Sequence, residues 1–167
     1  MKITMSTHAH EGDLVVFLIG MTVAKPWRVD QWGRIALAMK RMQTELHRNK
    51  ARADAGEEEW LGFLGGYNCA GSRGPVSVQY WRSAEDLYNY ANNSDREHRP
   101  AWLELYERAH RQTGADGIGI WHETYAVPAG GHESAYGNVT DWGLAKATGA
   151  ISVMRRGRTA RERLGAA

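Results

Sequence analysis

Ten residues from Leu14 to Val23, LVVFLIGMTV, are apolar on both faces, a pattern that predicts a central strand covered on both sides. The polar residues 1–12 before it predict loose chain. Pro26 ends the strand, and Asp30 is placed to cap a helix with Trp32, Ile35, Ala36, Met39, Met42 and Leu46 at helical spacing. That spacing makes one stripe, facing a sheet. The segment Asn49 to Glu59, NKARADAGEEE, is charged and contains Gly56, so it predicts an exposed connection. Two strands follow, Leu61 to Cys69 and Val76 to Trp81, joined by a turn through GSRGP, Gly71 to Pro75. Ser83 with Asp86 three residues on matches a capping box and opens a short helix to about Asn92. A second helix begins near Pro100 and runs to Gly114 with Ala101, Trp102, Leu105 and Ala109 inward; stepping back four residues from Trp102 reaches His98. Gly117 to Val127 predicts the last strand, and the chain after Gly131 predicts irregular structure up to an arginine-rich end.

The order strand, helix, strand, strand, helix pair, strand is the split βαββαβ plan of an α+β, ferredoxin-like domain, a four-stranded antiparallel sheet with helices on one face. The other face would carry Val16, Leu18, Val76, Val78, Tyr80 and Trp121 or His122. So apolar a face needs a cover. Two-fold pairing of two such sheets into a dimeric α+β barrel supplies one, which makes a homodimer the expected assembly. The division that follows is a flexible N-terminus at 1–13, a barrel domain at 14–145 and a basic C-terminal tail at 146–167.

Composition changes this picture little. The 167 residues suffice for one domain. Seven tryptophans against two phenylalanines suit a cavity lining or an oligomer interface as well as a core. Of the formal charge of +2, residues 155–167 hold +4, in five arginines and one glutamate, leaving −2 on residues 1–154. A slightly acidic body offers no electrostatic footprint for nucleic acid, and the basic end reads as frayed and solvated. One cysteine, Cys69, excludes an internal disulfide and a cysteine-built zinc site, and packing in a buried position is its expected use. No signal peptide precedes Leu14 and the apolar run is too short to span a bilayer, so a cytoplasmic protein with no membrane partner is the default expectation.

The candidate chemistry centres on His122, a lone histidine inside what reads as a buried strand, in GIGIWHETYAVPAGG. Burying an imidazole without a partner costs a few kcal/mol, so core packing, iron ligation and acid/base work all remain open for it and for His98. Glu123 points to the opposite face. Tyr125, with Tyr80 and Tyr136, is a proton donor or a cavity wall. Arg28, between Trp27 and Trp32 after the first strand, can bind a carboxylate or make a cation–π contact. His8 and His10 resemble a metal fragment only superficially.

Three stretches, VVFLIGMTVAKPWRVDQW, VQYWRSAEDLYNYANNSDREHRPAW and GIWHETYAVPAGGHESAYGNVTDWGLA, resemble the af470-like monooxygenases, a bacterial and fungal family of dimeric α+β barrel proteins. The resemblance covers roughly residues 14–145. More distantly, WHETYAVPAGGHESAYGN looks like a strand of the haem-containing aldoxime dehydratases, in which a strand histidine works over the haem and a helix histidine ligates iron. That likeness implies haem as cofactor, His122 as distal acid/base and His98 as axial iron ligand, with Trp102 beside it and Arg28 near a propionate. The chain is about half the length of those dehydratases, and His132 stands where they carry an aromatic residue. Three functions follow: a haem-dependent oxidation or dehydration of a small apolar organic substrate, a cofactor-free oxygenation or isomerisation on the same fold, or binding of an apolar ligand without turnover.

Overall fold

The computed structural model describes residues 4–93, 117–139 and 141–165. Its larger sheet has four antiparallel strands in the order β3-β4-β2-β5, where β2 is Leu14–Val23, β3 Phe63–Gly71, β4 Gly74–Trp81 and β5 Ile118–Val127. The apolar run at Leu14 therefore is an interior strand, and the order is the ferredoxin-like one. The predicted helix after Pro100, with His98 and Trp102, lies outside the described residues.

Helix α1, Val29–Asp54, and helix α2, Ala84–Asn92, cover one face of this sheet. Period-two alternation assigns Val15 and Ile19 of β2 and Trp81 of β4 to that face, where they pack with Met42, Leu46, Phe63, Leu87 and Tyr90. Trp81, Phe63 and Leu46 are wholly buried, each worth about 1.5–3 kcal/mol of transfer free energy. Ser83 caps α2 as its spacing predicts, its Oγ accepting from the Asp86 N–H at 3.0 Å. Two expectations for α1 need correction. It continues into the segment read as a connection, from Asn49 through Asp54, where its Lys50–Asp54 pair supports the helix at i,i+4 spacing. Its N-cap is Arg28 without a side-chain cap bond, while Asp30 sits in the first turn with its carboxylate held by Arg28.

The chain ends also depart from expectation. Residues 5–8 form strand β1, Met5–His8, the centre of a second sheet ordered β6-β1-β7, with β6 Tyr136–Gly137 and β7 Ala150–Ser152. Helix α3, Gly143–Thr148, lies between these last two strands. A 3-10 turn, Val153–Arg155, and helix α4, Ala160–Arg163, complete the described chain. Parts of the predicted loose N-terminus, irregular segment and tail domain thus form one small antiparallel sheet, and the arginine-rich end follows it as a 3-10 turn and a short helix. The sheet's polar sequence hid it, because hydrogen bonds rather than an apolar stripe hold it: Ser6, Thr7 and His8 are buried although polar. Arg163, with 8% of its side chain exposed, pairs with Glu133 at 2.5 Å, and also donates to the Gly157 and Arg158 carbonyls at 3.1 Å each.

On the face away from α1, α3 covers one end of the larger sheet, with Leu144 and Ala147 against Leu14, Leu64 and Tyr80. Val16, Leu18, Val76, Val78 and Trp121 also face this side and stay half-buried. Of the two residues considered for this face, Trp121 is the one on it. Its indole lies across Gly20, where an added Cβ would sit 2.6 Å from the ring. No described helix is long and apolar enough to cross a membrane.

Candidate functional site

His122 lies on β5, an edge strand rather than a buried one, and its side chain is exposed. Register decides its surroundings. Ser77, Ile19 and His122 form one row across β4, β2 and β5, and Gln79, Phe17 and Thr124 form the next. Both rows face the α1 side. The Phe17 and His122 rings stand 5.8 Å apart, and Phe17 with Met39 of α1 borders the buried core. Among the described residues neither ring nitrogen of His122 is hydrogen-bonded, so both remain available to a ligand.

Beside this imidazole the helix-facing layer contains polar groups that the sequence reading missed. Ser77 is wholly buried, Gln79 is 1% exposed and Gln43 of α1 is 6% exposed. Trp81 Nε1 donates to Gln79 Oε1 at 3.0 Å, and Gln43 and Gln79 each direct an amide nitrogen to Ser77 Oγ. Gln43 has one further amide atom without a partner among the described residues, whichever way its amide is turned. An unsatisfied buried amide atom costs about 1–3 kcal/mol, so this layer keeps hydrogen-bonding capacity at a cost in stability. The alternation in VSVQYW was a usable signal, since a strand with its valines on one face must put Ser77 and Gln79 on the other.

The other predicted site residues are not brought to this place. Tyr125 is on the opposite face of β5 and exposed, its hydroxyl donating to Glu123 Oε2 at 2.8 Å. That bond, above all, raises its phenol pKa. His122 and Tyr125 therefore do not act on one substrate from the same side of the sheet. Arg28 is exposed and clamps Asp30 through Nε at 3.0 Å and Nη2 at 2.8 Å. Tyr80 and Tyr136 are walls near α3, and burial first, then Tyr67 and Tyr136, keep Tyr80 a neutral phenol. Cys69 is exposed, not buried. His98 and Trp102 lie outside the described residues.

A second histidine cluster sits in the small sheet. His8 is wholly buried. Its Nδ1–H donates to Ser134 Oγ at 2.6 Å, and its Nε2 accepts from Arg156 at 2.6 Å. His132 Nδ1 lies 2.8 Å from the same Nε2, and His132 Nε2 lies 2.9 Å from the Gly12 carbonyl oxygen. Burial, followed by the charge of Arg156 and the neighbouring His132 and His10, pushes His8 down to about 4. It is a neutral structural clasp with its nitrogens used up.

Haem requires an axial ligand and an apolar slot for a flat macrocycle. Among the described residues the four large-sheet strands present one imidazole, His122, exposed at an edge and bordered by Phe17 on one side. These residues do not complete a haem site. Among the described residues no three His, Cys, Asp or Glu side chains converge as for a metal ion.

No curated protein and no solved structure matches the chain. A match at the family level does exist. The sequence model of the group described as monooxygenase af470-like covers residues 14–144, and the chain belongs to that family.

Proposed function

We propose that the protein is an oxygenase for a small, largely apolar organic substrate bound on the helix-facing side of the larger sheet, with His122 as the proton handler. The observation that carries this reading is an imidazole with both nitrogens available, on the same face as a buried amide and hydroxyl set. A substrate with an acidic C–H beside a carbonyl or phenol would lose that proton to His122 Nε2 or Nδ1. Gln43, Ser77 and Gln79 are suited to hold its polar oxygen, where negative charge develops, and Phe17 and Met39 offer an apolar wall. Oxygen then reacts with the carbanion. Conversion of an activated CH₂ to C=O by one O₂, with the second oxygen atom leaving as water, balances without an external reductant.

The half-buried row Val16, Leu18, Val78 and Trp121 on the opposite face supports a homodimer that covers it. The test uses anthrone as probe, with oxygen uptake and quinone formation as readouts. Turnover lost in His122→Ala and retained in Tyr125→Phe is the expected result. Equal rates in parent and His122→Ala would sink the reading. The alternative with haem, carried by the position of His122 and by His98 in the sequence, predicts a Soret band after purification with haem, abolished in His98→Ala.

A further inference from the structure

At the opposite edge of the larger sheet, where α1 and α3 flank β3, lies a pocket of about 180 Å³. Its wall carries Lys50 and His47 from α1, Lys146 and Trp142 from α3 and its N-cap, and Leu64 and Tyr67 from β3. No carboxylate lines it. The carboxylates that meet its lysines stand outside: Asp54, 65% exposed, is 3.2 Å from Lys50, and Asp141, 78% exposed, is 3.3 Å from Lys146. Such exposed pairs are weak and screened, so they compete poorly with a ligand in the pocket. The positive field is felt within the protein itself, since burial first and then Lys146 and Lys50 hold His47 below its ordinary pKa.

The rest of the wall is apolar and flat. Trp142 stacks at a tilt on Tyr67 with ring centroids 5.0 Å apart. Gly65 allows α3 to sit this close, since a Cβ there would come within 2.6 Å of the Ala147 Cβ. The pocket is therefore built by a backbone approach and not by mobile side chains alone. Strand order puts it three strand spacings, roughly 14 Å, from the β5 edge that carries His122.

We propose that this pocket is a binding site for a compact carboxylate with an apolar, preferably aromatic, body, separate from the His122 site. The two ammonium groups meet the carboxylate, and Trp142 with Leu64 meets the body. Two cationic partners without a lining carboxylate select an anion, while the small volume and the indole reject a merely hydrated one.

The test is titration of the full chain with benzoate, read by tryptophan fluorescence and by calorimetry, with benzyl alcohol and inorganic phosphate as comparison ligands. Saturable benzoate binding is expected. Its fluorescence change should vanish in Trp142→Phe, and its Kd should rise roughly tenfold or more in Lys50→Gln/Lys146→Gln. Lys146→Gln alone, an exposed change that leaves the fold intact by circular dichroism, should give part of that rise. Binding should be unaltered in His122→Ala. Benzyl alcohol or phosphate binding as tightly as benzoate, an unchanged Kd in the double variant, or no saturation below about 10 mM would each overturn the proposal.

Discussion

Two histidines of this chain lie in opposite circumstances. His8, in the small sheet, is buried, and its two nitrogens are occupied by Ser134 and Arg156, with His132 alongside. His122, at the edge of the larger sheet, is exposed, and among the described residues neither nitrogen is bonded. From the sequence the more buried-looking histidine was His122, and the one in loose chain was His8. The difference teaches that an imidazole is spent on structure when its hydrogen-bonding capacity is filled, and is open to chemistry when it is not. Local hydrophobicity does not report that distinction.

The widest separation should come from removing each ring. His122→Ala is expected to lower turnover by roughly 10²–10⁴-fold, the range for loss of a general base. Its stability, measured by urea unfolding, should stay within about 0.5 kcal/mol of the parent. His8→Ala should do the reverse. It leaves Arg156 and Ser134 without their shared partner in a buried place, and a loss of about 3–5 kcal/mol is expected in the same unfolding experiment. If both variants lost stability equally, the comparison would fail.

Acid gives the next largest effect. Folding holds His8 at about 4 against an ordinary value of 6.5, so below pH 6.5 the unfolded chain takes up a proton that the native one refuses. Stability from this group is then full above about pH 6.5 and is lost as pH falls towards 4, by about 3 kcal/mol in all. Unfolding midpoints across that interval check it, and His8→Asn should flatten the slope.

The smallest effect probes the end of the chain. Glu133→Ala leaves the largely buried Arg163 guanidinium without its carboxylate, though still bonded to two carbonyls. A loss of about 2 kcal/mol in thermal unfolding is expected. A change within error would mean that the arginine-rich end contributes nothing to the clasp's surroundings.

What was legible follows from periodicity. Leu14–Val23 as an interior strand, the α1 stripe through Met42 and Leu46, the Ser83 cap, the turn after Gly71 and the apolar open face were all readable, because each is a local or near-local pattern. The small sheet was not, since β1 pairs with β6 and β7 more than 120 residues away and its buried groups are polar. Within the candidate site His122 was legible as an oddity of composition. The alternation in VSVQYW set Ser77 and Gln79 apart from the valines, but that their face is covered by α1, and that Gln43 of α1 meets them there, depended on how the helix packs.

The sequence by itself determined the βαββαβ order and the family, since apolar spacing and short motifs are properties of neighbouring residues. Only the tertiary structure decided which histidine is locked and which is open, and which face of β5 each side chain occupies. It also decided that three basic residues from two helices meet in one pocket. Those outcomes depend on strand register and on contacts between distant segments, and a one-residue shift in register would reverse every one of β5's faces.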